Sequence, residues 1–276
     1  MNWIAGIDEI GSETQMSEGW TYAVLPDVGI SAIDSAVSAC TVKTFHGKKF
    51  KKGEAADYEA FLNAVRCELL KHQNAFLTFT LLDVSWKTQF LSFSRRLING
   101  GMQGAGVSDS EAAKISEHLF PGLITFQRLT GAARAPEIDI EIDSDSISEK
   151  LKQDTVSVAG KSISTAKLLG WAYEAYRKQQ FPSSPKLGNG GIRALADAKS
   201  RAIQVADVFG NFALSYIFVQ LGHTSKTRAI KADILARVFG NEIAPGPITS
   251  ATRLSGPTTN DIELTQPGGF TLRIGT

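Results

Sequence analysis

The sequence predicts an α/β fold, in which helices flank a mixed β-sheet. Short segments with strand character that end in acids or glycine recur at residues 3–11, 75–83 and 137–143; the first two are apolar runs and the third alternates acids with isoleucines. Between them lie segments with apolar residues at helical spacing, of which residues 54–72 are the clearest. Strands that alternate with helices favour an α/β architecture.

The composition predicts one large globular domain in the cytoplasm. The 276 residues are 43% hydrophobic, which suffices for a substantial core. Because 29 basic residues balance 28 acidic ones, any site for a polyanion has to be a local patch. The two cysteines, Cys40 and Cys67, are too few for a disulfide framework, which fits a reducing compartment. No apolar run approaches the roughly 20 residues that span a bilayer, and signal-peptide features are missing, so we expect no membrane partner.

The first 83 residues predict four strands and two helices. Thr44, His46 and Phe50 indicate a strand that runs into a basic loop, and the 54–72 helix has a continuous apolar face. The predicted elements are, in order, strands at 3–11 and 19–26 that form an antiparallel hairpin, a helix at 33–40, a strand at 43–52, a helix at 54–72 and a strand at 75–83.

The remainder predicts a helical insertion followed by further α/β elements. Residues 137–143 alternate strictly between acid and isoleucine, so one face of this strand packs while the other presents carboxylates. The tail, rich in Gly, Pro and Thr, predicts irregular or edge β structure. The predicted elements are an insertion at 85–131, a strand at 137–143, a helix at 164–180, loops at 182–185 and 188–191, a short strand at 192–196, a helix at 198–221 and an extension at 245–276, which leaves residues 1–244 as the main domain.

The resulting order, β-β-β-α-β-α-β-α with a helical insertion before the fifth strand, is that of a ribonuclease H-like fold. In this order the first strand is central, and we expect the strand at 75–83 beside it. Asp8 and Asp83, at the ends of these strands, are therefore expected to approach each other.

Carboxylates at strand ends and within an apolar helix point to a divalent metal site. A buried carboxylate is costly unless it is neutralised, and two-metal phosphoryl transfer needs carboxylates from distant segments in one cleft. The candidate metal ligands are Asp8, Glu9, Asp83, Asp143, Asp197 and Asp207.

Asp8 and Asp207 are the strongest of these candidates. Asp8 ends an apolar strand, and the alternative for it is a capping or salt-bridge role. Glu9 points to the opposite face of a regular strand and is the weaker candidate. Asp207 interrupts an apolar stretch of helix, where a buried ion pair is the alternative. Gln204, one turn earlier on the same helix face, is a candidate to orient Asp207 or to bind a phosphate.

The other candidates each have an ordinary structural alternative. Asp143 closes the acid–isoleucine strand, but its acids can equally form a solvated edge that discourages aggregation. Asp197 is placed to cap a helix, and Asp83 also precedes a capping sequence. The one dense basic cluster suits phosphate contacts, with a solvated loop as its alternative; it comprises His46, Lys48, Lys49, Lys51 and Lys52.

Two motifs resemble the bacterial domain-of-unknown-function family numbered 3800, which is associated with ribonuclease H-like folds. Ile7-Asp8-Glu9-Ile10-Gly11 is similar to its opening Ile-Asp-Glu-Ser-Gly, with Ile10 in place of the Ser. Asp197, Ser200 and Ile203-Gln204-Val205-Ala206-Asp207 resemble its closing motif. His46-Gly47 is similar to a His-containing stretch of the family, and Asp143 falls where a strand-ending Asp is expected. The resemblance covers residues 3–219 and implies a fold more strongly than an activity.

Two hypotheses of function follow. The preferred one is a nuclease, or related phosphoryl-transfer hydrolase, dependent on Mg²⁺ or Mn²⁺. In it Asp8, Asp143 and Asp207 are catalytic, and His46, Lys48, Lys49 and Gln204 contact nucleic acid. The alternative is a non-catalytic scaffold whose insertion at 85–131 binds a protein partner or forms a homo-oligomer. Zinc and nucleophilic-serine sites are disfavoured, because the four histidines are scattered and no Gly-x-Ser-x-Gly elbow occurs.

Overall fold

The computed structural model describes most of the main domain and three strands of the tail. The described residues are 1–11, 17–72, 74–83, 137–144, 155–158, 161–180, 182, 185–220, 222–239, 254–255, 261–265 and 269–275. The predicted helical insertion at 85–131 lies outside the described residues.

The described residues form ten strands and five helices. The strands are β1 (Trp3–Gly11), β2 (Ser17–Pro26), β3 (Phe76–Asp83), β4 (Ile138–Asp143), β5 (Thr155–Val158), β6 (Lys161–Ser164), β7 (Leu187–Leu195), β8 (Leu254–Ser255), β9 (Asp261–Thr265) and β10 (Gly269–Gly275). The helices are α1 (Asp27–Ala36), α2 (Ala55–Lys71), α3 (Thr165–Gln180), α4 (Arg201–Gln220) and α5 (Lys226–Phe239).

The sheet confirms the predicted fold class. Its strand order is β7-β4-β1-β2-β3-β10-β9-β8, with β1 antiparallel to β2 and parallel to β4. The five strands from β7 to β3 form a mixed sheet flanked by helices, which is the ribonuclease H-like arrangement. The tail extends this sheet, because β10 pairs antiparallel with β3. A separate hairpin, β5–β6, and helix α5 were not predicted from the sequence.

Helix α4 is the buried centre of the fold. It crosses β1 so closely that a Cβ added to Gly6 would overlap the backbone of Ala202, so only glycine fits at this crossing. Its length and hydropathy would permit a membrane span, but 94% of its apolar stretch is buried inside the protein. Its polar side chains are therefore inside the protein, where each needs a partner.

The predicted neighbour of β1 was wrong. Strand β2 lies between β1 and β3, and β4 takes the other side of β1. Asp8 is aligned with Thr21 of β2, whereas Asp83 is aligned with Ser17, four residues further along. The backbone of Asp83 is thus two strands, or roughly 10 Å, to the side of Asp8 and beyond it along the sheet.

The predicted strand at 43–52 was also wrong, since this segment is an irregular loop that ends in a 3₁₀ turn, Lys52–Glu54. Its amides at Phe45, His46 and Gly47 donate to side chains from α2 and α4, so they are not free to join a strand ladder. The strand was predicted because Thr44, His46 and Phe50 are at alternating positions, which would place Phe45 on the opposite face. Phe45 is nevertheless fully buried.

The predicted loop at 188–191 belongs instead to β7. The register of β7 on β4 shifts between Ile138 and Ile140. A Cβ added to Gly188 or Gly190 would press on the carboxylate of Asp139, which explains the glycines without a loop.

Candidate metal centre

Asp8 and Asp143 lie on the same face and at the same end of the sheet. Gly6 faces α4, and Asp8, two residues further along β1, shares that face because side chains alternate along a strand. In the parallel register Gly6 is aligned with Glu141 of β4, so Asp143 follows Glu141 just as Asp8 follows Gly6. Glu9 points to the other face of β1, which separates it from this group.

Asp8 is buried among other carboxylates. Its side chain is only 5% exposed. Burial raises the pKa of Asp8 well above its ordinary value, and the negative charges of Asp207, Asp143 and Asp197 raise it further, while Lys48 lowers it. Asp8, on β1, therefore interacts electrostatically with three other carboxylates, which come from β4, α4 and the turn before α4. A cation at this point would relieve their repulsion.

Asp207 accepts two hydrogen bonds, contacts His46 and is 2% exposed. Its Oδ2 lies 2.5 Å from Nδ1 of His46 and accepts the Gly47 amide at 2.8 Å. Its Oδ1 accepts Nδ2 of Asn211, one helical turn later, at 2.6 Å. The carboxylate is thus held in one orientation, as a ligand in a preformed site has to be.

His46 brings the basic loop to the acids. Its Nε2 lies 3.4 Å from Oδ2 of Asp197, in the 3₁₀ turn Asp197–Lys199, and its other ring nitrogen contacts Asp207. The hydrogen bond to Asp207 raises the pKa of His46, because it favours the protonated ring. Among the described residues, ligand atoms of His46, Asp197 and Asp207 all lie within 4.8 Å of one another, a spacing that one metal ion can bridge.

The structure therefore adds a residue to the candidate ligands. From the sequence, His46 was predicted to contact phosphate, because it lies among lysines. No spacing within the chain links it to Asp207. Only the packing of the loop on α4 brings them together. The capping alternative for Asp197 is weakened, since the side-chain cap of α4 comes from Ser200, whose Oγ accepts the Ile203 amide at 3.0 Å.

Gln204 is buried, and both ends of its amide group make hydrogen bonds within the protein. Its Oε1 accepts the Phe45 amide at 3.1 Å and the guanidinium of Arg201 at 2.5 Å. Its Nε2 donates to the carbonyl of Asp197 at 2.7 Å. These contacts fasten the loop and the turn to α4, so the geometry gives Gln204 a supporting position rather than a surface open to a phosphate.

Two of the three acids on β4 make hydrogen bonds that hold neighbouring segments, and the third acts on Asp8. Asp139 accepts Nδ2 of Asn2 at 2.8 Å and the Gly190 amide at 2.9 Å. Glu141 accepts the guanidinium of Arg193, and Oγ of Ser200 at 2.5 Å. Since β4 lies between β1 and β7 and all its residues are buried, the solvated-edge interpretation was wrong. Asp143 is the member of the series that acts on Asp8.

Lys48 and Lys49 form the exposed rim of the site. Both follow His46 in the loop and are exposed to solvent. Lys48 lowers the pKa of Asp8 and Lys49 lowers that of His46, so one ammonium group acts on an acid of the site and the other on the histidine beside Asp207.

Comparison with known proteins yields no relative from which to assign the site. No family model matches the chain, and no curated protein matches it at a significant level.

Proposed function

We propose that the protein is a nuclease, or related phosphoryl-transfer hydrolase, that depends on Mg²⁺ or Mn²⁺ and acts on nucleic acid. The observation that carries the proposal is the group formed by His46, Asp197 and Asp207, whose ligand atoms lie within 4.8 Å of one another. Buried Asp8 lies beside this group, because the charges of Asp207, Asp143 and Asp197 all act on it. Membership of the family numbered 3800 and a cytoplasmic location are parts of the same proposal.

The donor set suits a hard divalent cation. Carboxylate oxygens are the ligands that Mg²⁺ and Mn²⁺ prefer, and a single imidazole is compatible with Mn²⁺. When bound, such an ion supplies Lewis-acid stabilisation of phosphoryl oxygens and makes an attacking water more acidic. Asp8 and Asp143 would hold the ion from the sheet, and Asp207 would hold it from α4.

The loop would supply the contacts to substrate. Lys48 and Lys49 would bind the phosphates on either side of the scissile bond, since they carry the exposed positive charge beside the acids. His46, fixed between Asp197 and Asp207, would either complete the ligand set or hold a proton beside the leaving oxygen. Glu9, on the opposite face of β1, and Asp83, two strands away, would take no part.

Calorimetric titration with Mn²⁺ tests the proposal. We expect the wild-type protein to bind, and Asp8→Asn and Asp207→Asn each to weaken binding by at least about tenfold. Asp139→Asn is the matched control, because it removes a buried charge from the same face of the neighbouring strand, outside the group that acts on Asp8. Failure of the wild type to bind Mn²⁺, or binding unchanged in the double variant, would contradict the proposal and favour the scaffold alternative.

Cleavage assays define the reaction. Labelled single- and double-stranded DNA and RNA, incubated with Mg²⁺, Mn²⁺ or EDTA, should show metal-dependent cleavage of at least one of them. Asp8→Asn should abolish that cleavage and Asp139→Asn should retain it.

A further inference from the structure

The loop that carries His46 is held by side chains at three consecutive amides. The Phe45 amide donates to Oε1 of Gln204 at 3.1 Å and the Gly47 amide to Oδ2 of Asp207 at 2.8 Å, and both acceptors come from α4. The His46 amide donates to the hydroxyl of Tyr58, on α2, at 3.2 Å. The same hydroxyl donates to the His46 carbonyl at 2.9 Å. Tyr58 thus bonds to both backbone polar groups of His46, the residue whose side chain contacts Asp197 and Asp207.

The ring of Tyr58 is fixed by its surroundings. The side chain is 1% exposed. It contacts Phe45 edge-on with ring centroids 5.2 Å apart and Phe50 edge-on at 5.0 Å, and it stacks on Phe212 of α4 at 5.7 Å. Phe45 and Phe50 lie on either side of His46 in the loop, so the same ring also anchors both ends of the segment that holds His46.

We propose that Tyr58 is a positioning residue, whose hydroxyl sets the backbone of His46 so that the imidazole reaches both Asp207 and Asp197. As a role in metal binding, this rests on the proposed function; as a role in loop geometry, it does not. The hydroxyl bonds to the backbone of His46 and is not one of the candidate ligands, so its loss should displace the imidazole without removing a ligand. Small displacements matter at such a site, because ligands have to be held to within about 0.5 Å.

Tyr58→Phe tests the proposal against Tyr173→Phe. Phenylalanine keeps the ring packing and removes only the hydroxyl. Tyr173 is the matched control: it is also 1% exposed, and its hydroxyl donates to the carbonyl of Pro185 at 2.9 Å, near the start of β7. Because β7 and β1 both run parallel to β4, that contact lies toward the opposite end of the sheet from Asp8.

Two measurements decide the outcome. In metal-free protein, amide exchange by NMR at residues 45–47 should accelerate at least about tenfold in Tyr58→Phe, beyond any change in global stability, and stay unchanged in Tyr173→Phe. In Mn²⁺ titrations, Tyr58→Phe should weaken binding by about 10- to 100-fold, as is typical when a group that orients a ligand is lost.

The possible failures are distinct. Equal exchange at residues 45–47 in the two variants overturns the positioning role, whatever the metal result. Faster exchange in Tyr58→Phe with unchanged Mn²⁺ affinity overturns its role in metal binding. If wild-type protein binds no Mn²⁺ while exchange still accelerates, the proposed function fails and the role of Tyr58 in loop geometry stands.

Discussion

The imidazole of His46 and the carboxylate of Asp207 are in direct contact, with Nδ1 and Oδ2 2.5 Å apart. This contact joins an irregular loop to the middle of the most buried helix, and it raises the pKa of His46. In metal-free protein the His46 ring therefore stays protonated to a higher pH than a free histidine does. If a metal ion binds at Asp207, as we propose, it competes with the proton on His46.

We predict that Mn²⁺ affinity rises with pH. Both Asp8 and His46 have raised pKa values in metal-free protein, so binding has to displace protons that are held more tightly than usual. Calorimetry between about pH 5.5 and 8, in buffers of different ionisation enthalpy, should show tighter binding and fewer protons released as the pH rises. His46→Gln should flatten this profile, and an unchanged profile in that variant would exclude His46 from the linkage.

We predict that Asp8→Asn stabilises the metal-free protein at neutral pH. The folded state raises the pKa of Asp8, so it binds this proton more tightly than the unfolded chain, and stability is lost as the pH rises from the unfolded pKa through the folded one. Thermal unfolding in EDTA at pH 7 should show a midpoint roughly 2–4 °C higher, equivalent to about 1 kcal/mol. The gain should shrink as the pH falls toward the ordinary aspartate pKa of 3.8, below which Asp8 is protonated in both states. A loss of stability at pH 7 would make Asp8 a structural residue.

Asp207→Asn should have the opposite effect on stability. Asp207 accepts from Gly47 and Asn211 and contacts His46, and an amide cannot replace a carboxylate toward all three. We expect a loss of about 1–3 kcal/mol in urea unfolding of metal-free protein near pH 6. The pKa of His46 is raised in the folded state, so its share of this loss should be full below pH 6.5 and fade as the pH rises through the folded pKa. A loss that does not fade would show that the histidine contributes little.

Gly47→Ala should displace the basic loop from α4. An added Cβ would overlap the side chain of Asn211, so the loop has to move away and the bond from the Gly47 amide to Asp207 is strained. We expect a destabilisation of about 1–3 kcal/mol together with weaker Mn²⁺ binding. Gly53→Ala is the control in the neighbouring 3₁₀ turn, where an added Cβ meets nothing within 4 Å. Similar effects of the two substitutions would contradict a specific contact at Gly47.

Replacing both rim lysines should weaken nucleic acid binding mainly through charge. The salt dependence of single-strand binding is the slope of log K against log salt concentration. If Lys48 and Lys49 each contact a phosphate, Lys48→Gln/Lys49→Gln should reduce the magnitude of this slope by roughly 1.4. Fluorescence anisotropy with a labelled oligonucleotide, with Ca²⁺ in place of Mg²⁺, measures this slope. Lys226→Gln at the exposed start of α5 serves as the control. An unchanged slope would remove the two lysines from the interface.

Local patterns predicted much of the main chain correctly. The helix at 54–72 and the strands at 75–83 and 137–143 match α2, β3 and β4 to within a residue or two, because each has a strong local signature. The loop at 43–52 was mistaken for a strand because alternation cannot reveal that its amides are taken by side chains from distant helices. The sequence marked Asp143 as the acid that ends β4 but left a solvated edge as an equal alternative. The structure shows that Asp139 bonds to Asn2 and Gly190, and that Glu141 bonds to Arg193 and Ser200, whereas Asp143 acts on Asp8.

By itself, the sequence determined the fold class and singled out Asp8 and Asp207 as charges out of place in apolar segments, since the cost of burying a charge can be read locally. Only the tertiary structure decided which charges share a site. It brought His46 to Asp207 and Asp143 to the face of Asp8, and it moved Asp83 away by inserting β2 between two strands. The physical reason is that interactions between charges depend on distances across the sheet and along α4, which strand order and register set and which local sequence does not specify.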